Sequence, residues 1–210
     1  MKFSIIVSNT RRSYEYLKLL VKVKKFPNFI IHLDYQNQSN YKKKILNLIT
    51  KKKINFKSFK GNNVDDKRIE KYILNLKEKI IVYSGYGGKI VKSDNILKNK
   101  YLLHSHTGKL PEYKGSTTIF YSLLKEKKIY CTTFIMNSKI DCGNILYIKN
   151  YPLIKNKKKI ENYDNKIRAK NIVHTLQNFQ ILKKRSKNYK NNYPHYYIMH
   201  PILRYIALKK

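Results

Sequence analysis

The sequence predicts an α/β fold in which a mostly parallel central sheet is flanked by helices. Short apolar runs alternate along the chain with segments of helical spacing, which is typical of parallel sheets. Two glycine-bearing loops follow predicted strands, the position at which open α/β sheets bind their ligands. With 210 residues, of which 42% are hydrophobic, the chain is long enough to bury the core of one domain.

The predicted elements follow from the apolar pattern. Short apolar runs predict strands at residues 3–8, 29–33, 79–84, 101–104, 130–136 and 145–148. Helical spacing predicts helices at residues 14–23, 41–50, 66–76 and 118–125, and a last helix within 163–182. Ser13 is placed to cap the first helix, and Asp65 or Asp66 is placed to cap the third helix.

The chain is expected to comprise a main domain, residues 1–182, and a basic, tyrosine-rich extension, residues 183–210. Residues 183–192 are polar and have the composition of a linker or an exposed arm. Residues 196–205 are apolar again and must pack on the same domain or on a second subunit, which leaves a homodimer as an alternative.

The formal net charge of +34 would suit a nucleic-acid ligand. The excess is mostly lysine, however, and it accompanies many Asn, Ile and Tyr residues, which share A/T-rich codons. We therefore attribute the charge to genome composition and predict no dedicated nucleic-acid partner. A non-catalytic protein that binds RNA or a membrane surface is kept as an alternative.

The cellular location is predicted from what the sequence lacks. The apolar runs are too short to span a bilayer, and the N-terminal run has no signal-peptide cleavage site. Cys131 and Cys142 are the only two cysteines and do not form a disulfide framework. The expected location is the cytoplasm.

The first glycine-bearing loop, Gly85, Tyr86, Gly87 and Gly88, directly follows a predicted strand. Glycine lets a ligand approach main-chain amides closely. The loop lacks the spacing of a dinucleotide or nucleoside-triphosphate motif. By itself it is compatible with either a binding loop or a structural turn.

The second loop contains two histidines, His104 and His106, which project to the same side if the strand continues through them. Further along, Asp141 lies in a tight turn before another strand. Together these residues could supply a proton-transfer group, an oxyanion donor and an orienting carboxylate. The same three side chains, with Cys142, would also suit zinc, so a zinc-dependent hydrolase is an alternative.

Residues 106–115 (HTGKLPEYKG) and the turn at 140–145 (IDCGNI) resemble the folate-dependent formyltransferases. That family includes glycinamide-ribonucleotide, methionyl-tRNA and nucleotide-sugar formyltransferases. Its pattern is Asn-x-His, then Leu-Pro-x-Tyr-Arg/Lys-Gly, then Asp-x-Gly before a strand. The resemblance is strongest over residues 79–170, and it implies a Rossmann-like formyltransferase fold with residues 1–182 as catalytic domain.

The resemblance also implies roles for individual residues. His106 and Asp141 fall on the catalytic histidine and aspartate of the family. Substrate-binding positions are Tyr113, Lys114, Gly115 and Ser116. Positions that contact the co-substrate 10-formyltetrahydrofolate are Gly85, Tyr86, Gly87, Gly88 and Ile140. No metal is required by this chemistry.

His104 departs from the family pattern, which has Asn at that position. An imidazole can present an N–H, so His104 can still act as the oxyanion donor. The chain resembles a branch of the family with His-x-His, Gly-Ser-Thr-Thr after the tyrosine motif and a Tyr-Tyr-Ile-x-His-Pro ending.

The implied reaction is acyl transfer, in which a neutral amine attacks the formyl carbon. His106, with His104 beside it, would stabilise the oxygen anion by charge-assisted hydrogen bonds. Asp141 would orient and charge His106 and accept the proton of the amine. The expected amine is an amino sugar linked to a nucleotide. Methionyl-tRNA enzymes carry an added C-terminal domain for which residues 183–210 are too short, and His104 argues against glycinamide ribonucleotide.

Overall fold

The computed structural model describes residues 1–35, 40–154, 156, 159–189 and 192–209. The chain divides into two compact units. The first comprises residues 1–104 and 136–138, and the second comprises residues 105–135 and 139–210. Residues 190, 191 and 210 of the predicted extension lie outside the described residues.

The first unit is built on parallel strands in the order β3-β2-β1-β4-β5. These strands are β1 (Ser4–Ser8), β2 (Phe29–Asp34), β3 (Phe56–Lys60), β4 (Ile80–Ser84) and β5 (Tyr101–His106). Every residue of β1 and of β4 is buried. Strands that are covered on both faces consist of continuous apolar runs, and this is why these two were recognisable in the sequence.

The helices described in the first unit are α1 (Arg11–Lys22), α2 (Asn40–Lys51), α3 (Lys67–Asn75) and α4 (Asp94–Asn99). Thr10, not Ser13, caps α1, because the helix begins three residues earlier than predicted and the Thr10 side chain accepts from the Ser13 N–H. Asp66 caps α3 as expected, by accepting from the Arg68 N–H.

The second unit begins within β5, next to which β7 and then β8 follow in the strand order. Its elements are β6 (Lys114–Gly115), α5 (Thr118–Glu126), β7 (Ile129–Met136), β8 (Gly143–Tyr151), α6 (Ile160–Gln177), α7 (Phe179–Arg185), β9 (His195–Tyr196) and α8 (Pro201–Lys209). Strands β6 and β9 form a separate parallel pair.

The predicted fold class is confirmed, and the differences lie in the short or polar elements. Strand β3 (FKSFK) was missed because its residues are mostly exposed and it lacks an apolar run. The single predicted last helix is two helices, α6 and α7, separated at Asn178. Met199 and Ala207 of the C-terminal region are buried within the second unit, whereas most large apolar side chains of the ending are exposed. Among the described residues, no helix has both the length and the apolarity to cross a bilayer.

Candidate active site

His106 is the last residue of β5, which continues two residues beyond its predicted end. The residue is only 4% exposed. Its Nε2 lies 2.7 Å from the carbonyl oxygen of Tyr113 and 3.0 Å from the Thr118 hydroxyl. A carbonyl can only accept, so Nε2 carries a hydrogen and donates it to Tyr113.

Gly108 allows the loop after β5 to close over this ring. A Cβ atom at Gly108 would lie 2.5 Å from the carbonyl oxygen of Tyr113 and 2.7 Å from Nε2 of His106. Both separations are shorter than any normal contact, so only glycine fits between the ring and its acceptor. Close packing thus explains why glycine stands two residues after His106 at the start of the motif of residues 106–115.

Asp141 lies in the turn between β7 and β8, with a left-handed φ of 47°. Its Oδ2 accepts from the Gly115 N–H at 2.8 Å and lies 3.4 Å from Nδ1 of His106. The second distance is longer than an ordinary N–H···O hydrogen bond. The carboxylate is thus held by the backbone of Gly115 and faces the imidazole without a close hydrogen bond to it.

Burial lowers the pKa of His106, while the nearby Asp141 opposes this shift and Arg168 adds to it. The ring is therefore neutral at neutral pH, with its hydrogen on Nε2 and a lone pair on Nδ1 directed towards Asp141. This differs from the predicted charged His106, because the loss of solvation outweighs the attraction of the carboxylate. A ring in this state can take up a proton at Nδ1, where Asp141 stabilises the resulting charge.

Arg168 supports the same strand end and was not among the predicted site residues. Its guanidinium donates to the Ser105 carbonyl at 2.7 Å and to the Thr107 hydroxyl at 2.8 Å. Its Nε donates to Asp164 one helical turn away, also at 2.7 Å. The four-residue spacing of Asp164 and Arg168 on a predicted helix was the available signal in the sequence.

The predicted substrate-binding positions differ in exposure. Tyr113 and Lys114 are 5% and 6% exposed, whereas Ser116 is exposed. Gly115 has a φ of 110°, a conformation that favours glycine. The contacts seen at Tyr113, Lys114 and Gly115 are with other parts of the protein, and substrate binding by these four residues stays a prediction.

A cavity of about 310 Å³ lies in the second unit, at the small end of the range of ligand pockets. Its lining includes polar and charged side chains, among them Thr107, Thr118, Asp164, Arg168 and Arg204. Gly115 also lines it. Two of these residues, Thr118 and Gly115, bond directly to His106 and Asp141, so the cavity adjoins the groups that hold the pair.

In the first unit, the predicted cofactor loop is partly structural. Tyr86 is buried, and its hydroxyl accepts from the Asn9 and Tyr35 N–H groups and donates to the Leu33 carbonyl. Gly85 packs so closely on Tyr83 that a Cβ would lie 2.5 Å from the phenol oxygen. A Cβ at Gly85 would therefore require the Tyr83 ring to shift, whether or not a ligand binds.

The other two glycines of this loop are open. A Cβ at Gly87 or at Gly88 would meet nothing within 4 Å, and Gly88 has a φ of 74°. In the second unit, Ile140 is 43% exposed on the turn before Asp141. These residues are accessible to a ligand, and their contact with a folate stays a prediction.

His104 is partly buried in β5, where its Nδ1 lies 3.1 Å from the Tyr83 carbonyl oxygen. Since the carbonyl must accept, Nδ1 carries a hydrogen, and in a neutral ring Nε2 then carries none. His104 can therefore present an N–H from Nε2 only as an imidazolium. Within the described part of the chain, no three His, Cys, Asp or Glu side chains are arranged to hold a metal ion.

Comparison with known proteins extends these observations. The sequence model of the formyl transferase family matches residues 1–177. A methionyl-tRNA formyltransferase of Hydrogenobaculum is 32% identical over 103 residues, 49% of this chain and 34% of that protein. A second, from Buchnera aphidicola, is 31% identical over 90 residues, 42% of this chain and 29% of that protein. The matched region thus spans about a third of the length of these curated relatives.

Solved structures share the fold at low sequence identity. A sugar N-formyltransferase from a Shewanella species superimposes with a TM-score of 0.63 at 16% identity and covers 99% of this chain and 87% of its own. A phosphoribosylglycinamide formyltransferase from Anaplasma phagocytophilum superimposes with a TM-score of 0.65 at 13% identity. This match covers 94% of this chain and 98% of that chain. An N-formyltransferase from Helicobacter canadensis, in complex with folinic acid and dTDP-3-aminofucose, superimposes with a TM-score of 0.60 at 19% identity. This match covers 94% of this chain and 71% of that chain.

Proposed function

Because the chain belongs to the formyl transferase family, we propose that it transfers a formyl group from 10-formyltetrahydrofolate to a primary amine. The observation that carries this proposal is the pair formed by the buried His106 and the partly exposed Asp141, whose Nδ1 and Oδ2 atoms lie 3.4 Å apart. Both residues fall within the region matched by the family. A neutral imidazole facing a carboxylate is suited to taking up a proton.

The reaction requires that the attacking amine lose a proton as it bonds to the formyl carbon. We assign the acceptance of this proton to Nδ1 of His106, with Asp141 stabilising the ring once it is charged. General bases of this kind contribute about a hundred- to ten-thousandfold in rate. The Nε2 hydrogen is directed at the Tyr113 carbonyl, so we do not assign His106 the oxyanion role in this geometry.

The oxygen anion that forms on the formyl group needs a donor other than His106. We propose that His104 supplies it from Nε2 in the imidazolium form, because its Nδ1 already donates to Tyr83. One oxyanion donor contributes about 2.7–4 kcal/mol to stabilisation of the transition state. His104 is thus the residue that replaces the Asn of the family pattern.

For the formyl donor, we propose that the loop of Gly85, Tyr86, Gly87 and Gly88 contacts the pterin ring. Support comes from the openness of Gly87 and Gly88 and from the position of the loop at the end of a parallel strand. The solved Helicobacter canadensis enzyme that shares the fold is described in complex with folinic acid, a formylated folate.

For the acceptor, we propose an amino sugar linked to a nucleotide. Sugar N-formyltransferases are among the solved structures that share the fold, and one of them covers 99% of this chain. Methionyl-tRNA is the second candidate acceptor, and the identity of 32% with a methionyl-tRNA formyltransferase favours it. An assay of both classes of acceptor separates the two candidates.

The test is a binding measurement followed by a panel of acceptors. Calorimetry with 5-formyltetrahydrofolate should show binding, and the absence of binding up to millimolar concentration would contradict the proposed co-substrate. The protein is then incubated with 10-formyltetrahydrofolate and a dTDP-3-amino sugar, a dTDP-4-amino sugar, methionyl-tRNA or glycinamide ribonucleotide. Mass spectrometry should detect formylation of an amino sugar, and the His106→Gln variant serves as the inactive control. Formylation of methionyl-tRNA alone would replace the sugar proposal.

A further inference from the structure

The C-terminal segment, defined here as residues 195–199, contacts the backbone of the tyrosine motif directly. Its strand β9 pairs in parallel with β6, so that Lys114 lies opposite His195 and Gly115 opposite Tyr196. The carbonyl oxygen of Tyr196 accepts from the Ser116 N–H at 2.7 Å. The segment thus adds a strand to residues that were singled out by sequence as part of the site.

Side chains hold this strand pair in place. The Tyr196 ring stacks on Tyr113 at 5.5 Å between centroids and contacts Tyr121 at 4.5 Å. Its hydroxyl accepts from Lys125 at 2.9 Å. A pair of two-residue strands has little stability of its own. The aromatic contacts of Tyr196 therefore supply much of what keeps β9 on β6.

A second anchor follows immediately along the chain. Met199 is 1% exposed and packs in the cluster that contains Ile119, Phe120 and Leu123. Its N–H donates to the Thr117 hydroxyl at 2.9 Å. Tyr196 and Met199 thus both fix the segment against α5 and against β6, which precedes α5 in the chain.

The strand pair reaches the candidate catalytic pair through Gly115. A Cβ at Gly115 would lie 2.1 Å from the carbonyl oxygen of Tyr196, so the backbones meet without space for a side chain. The N–H of the same glycine donates to Asp141 Oδ2 at 2.8 Å. Two residues earlier, the Tyr113 carbonyl accepts from His106. The backbone held by the segment therefore bonds to both members of the pair.

We infer that the C-terminal segment positions Asp141 and His106, with Tyr196 as the main positioning residue. The inference rests on the proposed function in so far as that function makes these two residues the catalytic pair. Tyr196 does not touch the pair itself. It acts through the backbone of Gly115 and Tyr113, whose N–H and carbonyl set the carboxylate and the ring.

The test compares Tyr196→Ala with Tyr196→Phe, which retains the ring contacts and loses only the hydroxyl. The matched control is Ile198→Ala, because Ile198 is 71% exposed and lies in the same segment. Tyr196→Ala should lower kcat by about tenfold or more, as is typical when catalytic groups lose their orientation, while the KM for the formyl donor changes much less. Tyr196→Phe should restore most of kcat, and Ile198→Ala should match the wild type.

A second readout does not depend on activity. In ¹⁵N-histidine NMR spectra of the full chain, the wild-type His106 ring should show a protonated Nε2 and an unprotonated Nδ1, with the resonances assigned by their loss in His106→Gln. Tyr196→Ala should shift these resonances, and Ile198→Ala should leave them in place. If Tyr196→Ala does not fold, Thr117→Val removes the bond to the Met199 N–H and should produce the same shift to a smaller degree.

The two readouts separate failure of the inference from failure of the proposed function. Folded Tyr196→Ala protein with wild-type His106 resonances and wild-type kcat overturns the inference. A fall in kcat that Tyr196→Phe does not restore overturns the role of the aromatic contacts. If the wild type transfers formyl to no acceptor but the His106 resonances still shift in Tyr196→Ala, the positioning inference stands and the proposed function fails.

Discussion

Two buried histidines, one in each unit, have different surroundings. His32 in the first unit is fully buried, with Nδ1 2.8 Å from the Ser58 hydroxyl and Nε2 2.7 Å from the side-chain oxygen of Asn9. Burial lowers its pKa, as it does for His106. In both rings Nε2 carries the hydrogen, because it faces an oxygen that can only accept.

The difference between them lies at Nδ1. For His32 it faces a hydroxyl, which can donate to the lone pair and satisfy the neutral ring completely. For His106 it faces the carboxylate of Asp141, which cannot donate when ionised. The first arrangement is typical of a structural histidine and the second of a group that exchanges a proton. The partner of one nitrogen, more than the degree of burial, distinguishes the two surroundings.

The largest expected effect is the loss of turnover when His106 is replaced, and replacement of His32 is its control. His106→Ala should abolish formyl transfer with the fold retained, because the proton acceptor is lost. His32→Gln should retain turnover, since His32 takes no part in the proposed chemistry. Steady-state rates and circular dichroism spectra of both variants check this. Near-wild-type turnover in His106→Ala would remove this residue from the mechanism.

Asp141→Asn tests the carboxylate that distinguishes the two surroundings. Asparagine keeps an oxygen that can accept from the Gly115 N–H, but its charge is gone. We expect a loss of about a hundred- to ten-thousandfold in kcat/KM. Because Asp141 acts to raise the pKa of His106, the acid limb of the pH profile should also move to lower pH. A loss smaller than about tenfold would contradict the role of Asp141.

His104 offers a smaller expected effect in the same strand. If it has taken over the oxyanion role, His104→Asn should remain substantially active, since an amide N–H is again available. His104→Ala should lose about a hundred- to thousandfold in turnover. The comparison is made by kcat in proteins whose melting temperatures match the wild type. Equal damage from the two substitutions would exclude the donor role.

The smallest effect concerns stability as a function of pH. His32 has a pKa below its usual 6.5 in the folded state, so between the two values the unfolded chain binds more protons. The free energy of unfolding should therefore fall as pH drops below 6.5, by up to about 1.4 kcal/mol per pH unit for each such histidine. Denaturant unfolding of His32→Gln from pH 7 to 5 should show a shallower dependence. An unchanged slope would mean that His32 is not responsible.

Much of the fold could be predicted because the central strands are apolar throughout. Strands β1 and β4 are buried along their whole length, so their runs of isoleucine and valine stand out in the sequence. Strand β3 and helix α8 could not be predicted from such runs. Phe56 and Tyr205 remain 39% and 58% exposed, and elements of this kind form because of their neighbours in space.

For the candidate site, the sequence by itself singled out His106 and Asp141 as candidates, because the motif around them is local and specific. The tertiary structure decided the surroundings of both residues. It directed Nε2 of His106 at the Tyr113 carbonyl, removed the ring from solvent and held Asp141 by the Gly115 N–H. It also paired Tyr196 with Gly115 in the strand pair β6–β9, although Tyr196 follows Gly115 by 81 residues in the chain. Desolvation and hydrogen-bond geometry depend on groups that are distant in sequence, so no local pattern encodes them.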